Sequence, residues 1–527
     1  MSTARLRVFA GAYRDSLLLL SATRSMRAAD GVEWGAAVMA TEANVADLGS
    51  AGFGVAELES ADANDLVLAV RAAGVESAEA ALDQGHTVLF AEAGRDEGPG
   101  PDGQPPRTVD GAAARLSGAN VAIVSVPGQY AALAAHQALT SGLHVLLFSD
   151  NVSAADEVAL KERASGLGLL VMGPGAGTAV LGGVGLGFAN AVRLGQVGVV
   201  AAAGTGAQEV MTLLDHWDIG VSQVIGVGGR DLSAAVGGLM AADAVRALDR
   251  DPGTDAILLV SKPPDPDVAA RVVAEARHKP VVAACVGMPA DVSLAGASLA
   301  RTLEEGAAAV AERLGRAVPD LADGLTAAAA RVAGPLAVGR TAVRGFFSGG
   351  TLCYEAQVIL RDELGDVYSN IPLDSGHGLA ALGGWPGEAG GATGVHVCLD
   401  LGEEEYTLGR PHPMIDPAAR REILAEQALA PDIAVVLLDV VLGYGSHPDP
   451  AGEITDICAD IVADGAAVVA YVLGTKADPQ GYQAQRAKLA EAGVIVTPTA
   501  ARAAWTAAAI AARRPEVAGR GLGGGQP

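Results

Sequence analysis

Residues 197–210 read VGVVAAAGTGAQEV, and residues 343–356 repeat the same pattern as VRGFFSGGTLCYEA. Each copy predicts a buried β-strand, a short loop of small residues and the start of an α-helix. The backbone N–H groups of such a loop, together with the positive end of the following helix dipole, form a natural binding site for an anion. The two copies therefore predict two phosphate- or carboxylate-binding sites in one chain.

Two later segments recur in the same order. Residues 256–260 match residues 434–438, and residues 281–287 match residues 468–474, with a spacing that grows along the chain. The second copy therefore carries insertions, most of which we place between residues 365 and 430. Chance similarity between two segments rich in Ala, Val and Gly is the alternative interpretation.

Length and composition predict several α/β domains. A chain of 527 residues is too long for a single core. Half of the residues are apolar but only 4% are aromatic, which suits helices packed closely on parallel strands. We expect a small α/β domain at residues 1–95, with strands at 5–13, 33–40, 65–72 and 87–91, followed by a linker at 96–107 and a Rossmann-like domain at 108–192. Two flavodoxin-like domains, related as an internal repeat, follow at 193–318 and 339–515, with a connector at 319–338 between them. A disordered tail is expected at 516–527.

Charge and cysteine content exclude several classes of protein. The net charge of −25 argues against a nucleic-acid-binding surface, which needs clustered Lys and Arg. The four cysteines show no C-x-x-C spacing, so neither a metal site nor a disulfide framework is predicted. The Leu-rich run at residues 16–21 is too short to span a membrane. We expect a cytoplasmic protein.

A polar segment at residues 400–417 carries candidate chemistry. Arg410 is suited to binding a carboxylate or phosphate through two hydrogen bonds, and His412 is suited to proton transfer near neutral pH. Loops of this composition commonly carry function. A turn held by local ion pairs is the alternative.

A second candidate segment follows the predicted strand at residues 434–438. Asp439 ends that strand, and Gly443, His447 and Asp449 lie in the loop beyond it. Because ligands of open α/β sheets bind outside the carboxyl ends of the strands, these residues are site candidates. A rigid turn is the alternative for this loop. Cys353, at a predicted helix start, has either a lowered pKa or a buried, unreactive thiol.

Two nucleotide-binding motifs receive no support. The chain has no G-x-x-x-x-G-K-[ST] loop. The glycines of residues 182–187 do not directly follow a strand and open a helix, as a dinucleotide-binding loop requires.

Residues 120–314 resemble the α subunit of succinyl-CoA synthetase. The matching segments are VPGQ at 126–129, MGP at 172–174, GVGGRD at 226–231, DPGTDAI at 251–257 and KPVV at 279–282. Over the whole chain, the sequence more closely resembles the FdrA-like family, through SGGTLCYE at 348–355, GRPHPMIDP at 409–417 and LLDVVLGYG at 437–445. The resemblance implies a CoA-binding-type Rossmann domain followed by two ligase-CoA-type domains.

Two departures from the synthetase change the expected chemistry. The synthetase carries a phosphate on the histidine of a Gly-His-Ala-Gly-Ala motif, but the corresponding residues 293–297 read SLAGA, with Leu294 at that position. Lys262 stands where the synthetase has the glutamate that orients this histidine. A phosphohistidine at that position is therefore excluded, and Lys262 suggests that an anion binds there.

The FdrA-like family is associated with purine and allantoin nitrogen breakdown. The resemblance implies a subunit of an oxamate carbamoyltransferase, which cleaves oxalurate with phosphate to give oxamate and carbamoyl phosphate. In this interpretation Lys262, Arg410, His412 and Asp439 are the catalytic candidates. The candidates for binding phosphate and substrate are Gly204, Thr205, Gly206, Ser348, Gly349, Gly350, Thr351, Gly443 and His447.

The same resemblance sets the expected ligands and partners. Phosphate or carbamoyl phosphate is a substrate, no cofactor is certain, and CoA stays possible although the synthetase's N-terminal Gly-rich CoA loop is missing. No ATP-grasp domain is visible, so another chain would handle ATP. We expect an oligomer that works with other carbamoyltransferase subunits on small carboxylate and phosphate ligands. An ADP-forming acyl-CoA ligase subunit and a non-catalytic assembly scaffold are the alternatives.

Overall fold

The computed structural model describes residues 2–14, 16–54, 58, 61–91, 106–289, 292–382, 393–407 and 411–521. The chain divides into two compact units, Met1–Pro106 and Arg107–Pro527. Within the described ranges we find no helix whose length and apolar character would let it cross a bilayer.

The first unit is an antiparallel three-stranded sheet with helices. Its strand order is β1-β3-β2. The elements are β1 (Thr3–Phe9), α1 (Ser16–Arg27), β2 (Val32–Met39), α2 (Glu42–Ser50), β3 (Leu66–Ala72) and α3 (Val75–Ala91). The central strand β3 is almost wholly buried, because both of its faces pack against apolar side chains.

The predicted strand at residues 87–91 is wrong. These residues form the last turns of α3, a helix of 17 residues. Leu89 is buried against the sheet, and Phe90 contacts Phe9 with ring centroids 5.3 Å apart. A short apolar run does not distinguish a strand from the buried face of a helix, and here the helix that precedes the run continues through it.

The second unit begins with a parallel sheet of strand order β4-β5-β6. The elements are α4 (Val109–Arg115), β4 (Val121–Val124), α5 (Gly128–Thr140), β5 (His144–Leu147), α6 (Ala154–Leu167) and β6 (Val171–Met172). The fully buried Lys161 on α6 donates hydrogen bonds to Glu157, Asp231 and the carbonyl oxygen of Val227, at 2.7, 2.7 and 2.8 Å. These bonds fix the loop at residues 227–231 against α6.

The first copy of the repeat forms a seven-stranded sheet of order β13-β12-β11-β9-β10-β7-β8. The elements are β7 (Thr178–Leu181), β8 (Val184–Gly187), β9 (Leu194–Ala201), α7 (Gly204–His216), β10 (Val221–Gly226), α8 (Leu239–Arg250), β11 (Ala256–Ser261), α9 (Pro266–Val273), β12 (Val281–Cys285), β13 (Ala297–Ala300) and α10 (Leu303–Arg313). All pairings from β10 to β13 are parallel.

This sheet begins before the domain boundary predicted at residue 193. Strands β7 and β8 form an antiparallel hairpin, and Val180 pairs with Val224 of β10. The hairpin joins this sheet because Val180 is buried in the same apolar cluster as β9. The glycines of residues 182–187 form the hairpin turn and β8, so they do not open a helix.

The second copy forms a six-stranded parallel sheet of order β15-β16-β14-β17-β18-β19. A helix α11 (Leu325–Ala333) precedes it. The elements are β14 (Ala342–Phe347), α12 (Gly350–Leu364), β15 (Val367–Ser369), β16 (His396–Asp400), α13 (Glu404–Thr407), α14 (Ala418–Gln427), β17 (Ile433–Val441), α15 (Thr455–Ala463), β18 (Ala467–Leu473), α16 (Tyr482–Glu491), β19 (Ile495–Thr497) and α17 (Ala500–Ala511), with 3₁₀ turns at Ser375–His377, Leu379–Leu382 and Pro515–Gly519.

The two copies share one core plan, and the α/β fold class is confirmed. Strands β9 and β14 are central in their sheets, and each is followed at once by a helix, α7 or α12. The extra length of the second copy contributes β16, which pairs with β14, and the helices α13 and α14. Because the parallel strands are covered on both faces, they consist of nearly continuous apolar residues.

The chain end differs from the predicted disordered tail at 516–527. Residues Pro515–Gly519 form a 3₁₀ turn in which Val517 and Ala518 are buried. Arg514 and Arg520 both pair with Glu363 at the end of α12. Apolar burial and these ion pairs fix the segment as far as residue 521. The last six residues, 522–527, lie outside the described residues.

Glu209 on α7 and Glu355 on α12 occupy equivalent positions of the repeat, and both are fully buried. Burial raises the pKa of Glu209 from 4.5 to about 8. Between these two values the folded chain keeps a proton that the unfolded chain releases, so this group makes stability fall as pH rises. We expect Glu209→Gln to reduce this decrease in the free energy of unfolding between about pH 5 and pH 8, by up to about 1.4 kcal/mol per pH unit. Urea unfolding of the wild type and the variant at pH 5 and pH 8 measures this difference. The same dependence of stability on pH in both proteins would contradict the prediction.

Candidate functional site

Two helix N-termini meet at one cavity of about 450 Å³. Helix α7 begins at Gly204 and α12 begins at Gly350, each directly after the central strand of its sheet. The N-cap residues of the two helices, Ala203 and Gly349, have no side chain that caps the helix. Among the described residues, the N–H groups at Gly204–Gly206 and at Gly350 have no acceptor and are available to a ligand, whereas that of Thr351 donates to Thr205 Oγ1. Both helix dipoles favour a negative charge there.

Small residues allow the two helix starts to approach closely. A Cβ atom on Gly349 would lie 2.7 Å from the side chain of Thr205, and one on Gly206 would lie 3.1 Å from Thr351. The backbone N–H of Thr351 also points at Thr205 Oγ1, at 3.4 Å. Of the seven predicted anion-binding residues at the two loops, Gly206 alone does not line the cavity, and the other six are Gly204, Thr205, Ser348, Gly349, Gly350 and Thr351.

Asp439 fixes the second loop and does not line the cavity. Its carboxylate accepts hydrogen bonds from the backbone N–H groups of Ser348 (2.9 and 3.0 Å) and Gly349 (3.0 Å). Arg420, also buried, lies 3.2 Å from the same carboxylate and donates to Ser348 Oγ. The predicted catalytic role is corrected to a positioning role, because β17 continues to Val441 and so places Asp439 within the sheet.

Lys262 lies directly after β11 and lines the cavity. Its Nζ atom is 5.7 Å from the ring centroid of Tyr354 and 3.7 Å from the Cβ position of Gly350. Among the described residues, no carboxylate lies within ion-pair distance of Lys262. The side chain is half-buried, so its ammonium group is placed to neutralise an anion at the helix starts.

Asp400 was not singled out as a site residue from the sequence. It ends β16, is 3% exposed, and lines the cavity. Its Oδ1 atom accepts a hydrogen bond from the N–H of Gly402 at 2.9 Å. Burial raises the pKa of Asp400 to about 7. The available signal was an acidic residue directly after the short, largely apolar run at residues 395–399, similar to the signal that directed attention to Asp439.

His412 also lines the cavity, as part of a loop that packs against Phe188. Its Nδ1 atom accepts a hydrogen bond from the N–H of Met414 at 3.3 Å, so the proton of the neutral ring lies on Nε2. Burial lowers the pKa of His412 to about 4. The imidazole is therefore neutral at pH 7, and its Nε2–H is suited to donating a hydrogen bond to a ligand.

The remaining predicted residues lie elsewhere. Arg410 lies outside the described residues. Gly443 and His447 do not line the cavity: a Cβ atom on Gly443 would lie 2.8 Å from the carbonyl oxygen of Phe188, and His447 donates its backbone N–H to Met414. These contacts position the loops that carry Phe188 and His412. Burial raises the pKa of the Cys353 thiol well above its usual value, which matches the unreactive alternative.

Leu294, which the sequence resemblance aligns with the synthetase histidine, is 5% exposed and packs into an apolar cluster. It does not line the cavity.

The cavity depends on glycine at position 350. A Cβ atom there would lie 2.3 Å from Asp400 Oδ2, a distance that requires the buried carboxyl group to move. We expect Gly350→Ala to lower the free energy of unfolding by about 1–3 kcal/mol, measured by urea denaturation.

Gly204 is the matched control for Gly350, because it is the equivalent residue of the repeat and has open space around its Cβ position. Gly204→Ala is expected to change stability by about 1 kcal/mol or less, in the stabilising direction. Equal destabilisation by both substitutions would contradict the assigned clash.

Two family models match this chain. The Ligase_CoA model, described as CoA-ligase, matches residues 346–510. A model described as the heavy metal-associated domain of AllF matches residues 1–105.

The first unit does not fit a thiolate metal site. Residues 1–105 contain no cysteine, and the described residues of the chain hold no group of three or more His, Cys, Asp or Glu side chains placed to bind an ion. The ring of His86 stacks on Phe90 with centroids 4.5 Å apart.

The chain is 39% identical to the Escherichia coli protein YahF over 495 residues, which cover 92% of this chain and 94% of YahF. It is 29% identical to the α subunit of the ADP-forming succinate–CoA ligase of Methanothermobacter thermautotrophicus over 175 residues, which cover 32% of this chain and 58% of that subunit. The match to the crystal structure of PH0766 from Pyrococcus horikoshii covers 80% of this chain and 88% of that chain, with 16% identity and a TM-score of 0.31. The chain thus belongs to the same family as YahF, within the succinyl-CoA synthetase superfamily.

Proposed function

We propose that this chain is the FdrA-like subunit of a carbamoyl-transfer enzyme in purine and allantoin nitrogen catabolism. The reaction is oxalurate plus phosphate to oxamate plus carbamoyl phosphate. A phosphate oxygen forms a bond to the carbamoyl carbon, the bond from that carbon to the oxamate nitrogen breaks, and the nitrogen takes up a proton. Both substrates and both products are anions.

One observation carries this proposal: a single cavity brings together two helix N-termini, with N–H groups available at Gly204–Gly206 and at Gly350, and the ammonium group of Lys262. The positive ends of the two helix dipoles and the ammonium group stabilise the negative charges of a phosphate and an oxamate carboxylate bound in one site. The predicted anion-binding residues come from both copies of the repeat, and six of them line this cavity. The arrangement therefore suits a reaction between two anions.

The cavity supports direct attack by phosphate in place of a phosphorylated histidine. Leu294 replaces the synthetase histidine, and His412, the histidine in the described lining, has its proton on Nε2. A neutral imidazole N–H is suited to donating a hydrogen bond to the carbamoyl oxygen as negative charge builds up on it. Lys262 and the helix dipoles stabilise the charge of the phosphate.

We further propose that the chain works in the cytoplasm, in an oligomeric complex with other carbamoyltransferase subunits. The test uses this complex, purified from native cells through a tag on the chain, with oxalurate and phosphate. We expect phosphate-dependent release of oxamate, with carbamoyl phosphate trapped as citrulline by added ornithine and ornithine carbamoyltransferase. Omitting phosphate is the control. A complex that releases no oxamate under these conditions would contradict the proposal.

A second candidate function is a subunit of an ADP-forming acyl-CoA ligase. The match of residues 346–510 to the CoA-ligase model and the 29% identity to a succinate–CoA ligase subunit favour it. Such a complex would form an acyl-CoA thioester and release ADP when given CoA, ATP and succinate. Thioester formation in the absence of any cleavage of oxalurate would establish this alternative in place of carbamoyl transfer.

A further inference from the structure

We propose that Asp400 is the group that moves the proton in this cavity, and that it is protonated when an anion binds beside it. This inference rests on the proposed function for its chemical step, while its protonation is tested without any reaction.

The geometry places Asp400 between the other functional groups of the cavity. Its Oδ2 atom faces Gly350, whose Cβ position is also 3.7 Å from Lys262 Nζ. Its Oδ1 atom faces Gly402, whose Cβ position is 3.1 Å from Oδ1 and 2.5 Å from His412 Nε2. The carboxyl group therefore connects the cationic side of the cavity to the imidazole side.

One oxygen of Asp400 is fixed and the other is available. Oδ1 accepts the N–H of Gly402, and the backbone of Asp400 is bonded in both directions to the amide of Asn370. Among the described residues, Oδ2 has no hydrogen-bond donor. A proton on Oδ2 is thus free to be given to a ligand at the start of α12 or taken from it.

The charges around Asp400 favour exchange near neutral pH. Burial raises the pKa of Asp400 to about 7, the N–H of Gly402 and the charge of Lys262 oppose this, and Glu403 and Asp439 add to it. The other titratable groups that face this region are Cys353, His412 and Asp150. An anion at the helix starts would add negative charge and raise the pKa of Asp400 further, so the carboxyl group would take up a proton as the anion binds.

The proton balance of carbamoyl transfer matches this role. The phosphate oxygen that attacks the carbamoyl carbon loses its proton, and the departing oxamate nitrogen gains one. Asp400 gives its proton to the nitrogen as the carbon–nitrogen bond breaks, and it recovers a proton from the phosphate. No net proton is consumed, and no other reagent is needed.

Neighbouring groups are less suited to this step. Lys262 serves as a cation, and Asp439 is held between two backbone N–H groups and Arg420. His412 is neutral and already carries its proton on Nε2, with a pKa near 4. Its conjugate acid is therefore too scarce at pH 7 to protonate a nitrogen leaving group.

Sulfate tests the protonation directly, because it stays a dianion throughout the neutral range and its binding needs no catalysis. Calorimetry of sulfate binding to the full chain, in buffers of different ionisation enthalpy near pH 8, counts the protons taken up. We expect the wild-type chain to take up nearly one proton per sulfate. Asp400→Asn is expected to bind sulfate at least as tightly and to take up none. Glu405→Gln, which removes an exposed acid outside the cavity lining, is expected to match the wild type.

Wild-type protein that binds sulfate with no proton uptake would overturn the inference without any variant. Uptake that persists in Asp400→Asn would also overturn it. In the active complex, we expect Asp400→Asn to lower kcat by about 10²–10⁴-fold while the KM for phosphate changes little. Unchanged kcat in this variant refutes the role of Asp400, whereas a wild-type complex that cleaves no oxalurate refutes the proposed function and leaves the sulfate result standing.

Discussion

Replacing Lys262 with methionine is expected to lower kcat for the phosphate-dependent cleavage of oxalurate by about 10²–10³-fold. Lys262 is the one lysine or arginine in the described lining of the cavity. Methionine keeps the length and apolar stem of the side chain but removes the charge that balances the phosphate. Steady-state kinetics of the tagged complex, together with calorimetry of sulfate binding to the chain, measures the effect.

The thermal stability of this variant should match the wild type, because no described carboxylate forms an ion pair with Lys262. Lys476→Met is the matched control, since Lys476 is exposed and does not line the cavity. We expect this control to keep full activity and sulfate affinity. Equal kinetics for Lys262→Met and the wild type would remove Lys262 from the site.

Arg502→Met is expected to lower the free energy of unfolding by about 3–5 kcal/mol. Arg502 on α17 of the second copy contacts Glu304 on α10 of the first copy, with distances of 2.5, 3.0 and 3.1 Å, and both side chains are almost fully buried. Thr499 donates to the same carboxylate. Removing the guanidinium leaves the carboxylate of Glu304 buried without its counter-charge. Urea denaturation at pH 7 measures the loss.

Arg421→Met is the comparison for an exposed ion pair. Arg421 pairs with Asp456 at the surface, and such a pair contributes about 0–1 kcal/mol. In the double variant Arg502→Met, Glu304→Gln, the buried charge is gone, so we expect part of the lost stability to return. A loss below about 1 kcal/mol in Arg502→Met would show that this buried pair stabilises the fold no more than an exposed ion pair does.

The repeat and its two helix starts were predictable from sequence because strand, small-residue loop and helix are local patterns. The copies at residues 197–210 and 343–356 became β9 with α7 and β14 with α12. The strand predicted at residues 87–91 failed because a short apolar run fits a strand and a helix equally well. The boundary predicted at residue 193 falls after strands β7 and β8, which pair with the following sheet, because sheet membership depends on long-range pairing, here between Val180 and Val224.

The roles of the two aspartates could not be separated from sequence. Asp400 and Asp439 both follow apolar residues of a parallel strand, and both are buried. Asp439 points at the N–H groups of the second loop and pairs with Arg420, whereas Asp400 reaches the cavity. Side-chain direction and burial decide this difference, and both arise from tertiary packing. The contact of His412 with Met414, which sets its tautomer, depends equally on the folded loop.

The most direct measurement of the central claim is a crystal structure of the chain soaked in sulfate. The account predicts one sulfate ion within hydrogen-bond distance of the backbone N–H groups at Gly204–Gly206 and at Gly350, and close to Lys262 Nζ. The same ion should be absent from Lys262→Met crystals at low sulfate concentration. A cavity that stays empty at saturating sulfate, with the ion bound elsewhere, would contradict the claim that these two helix starts hold the anion.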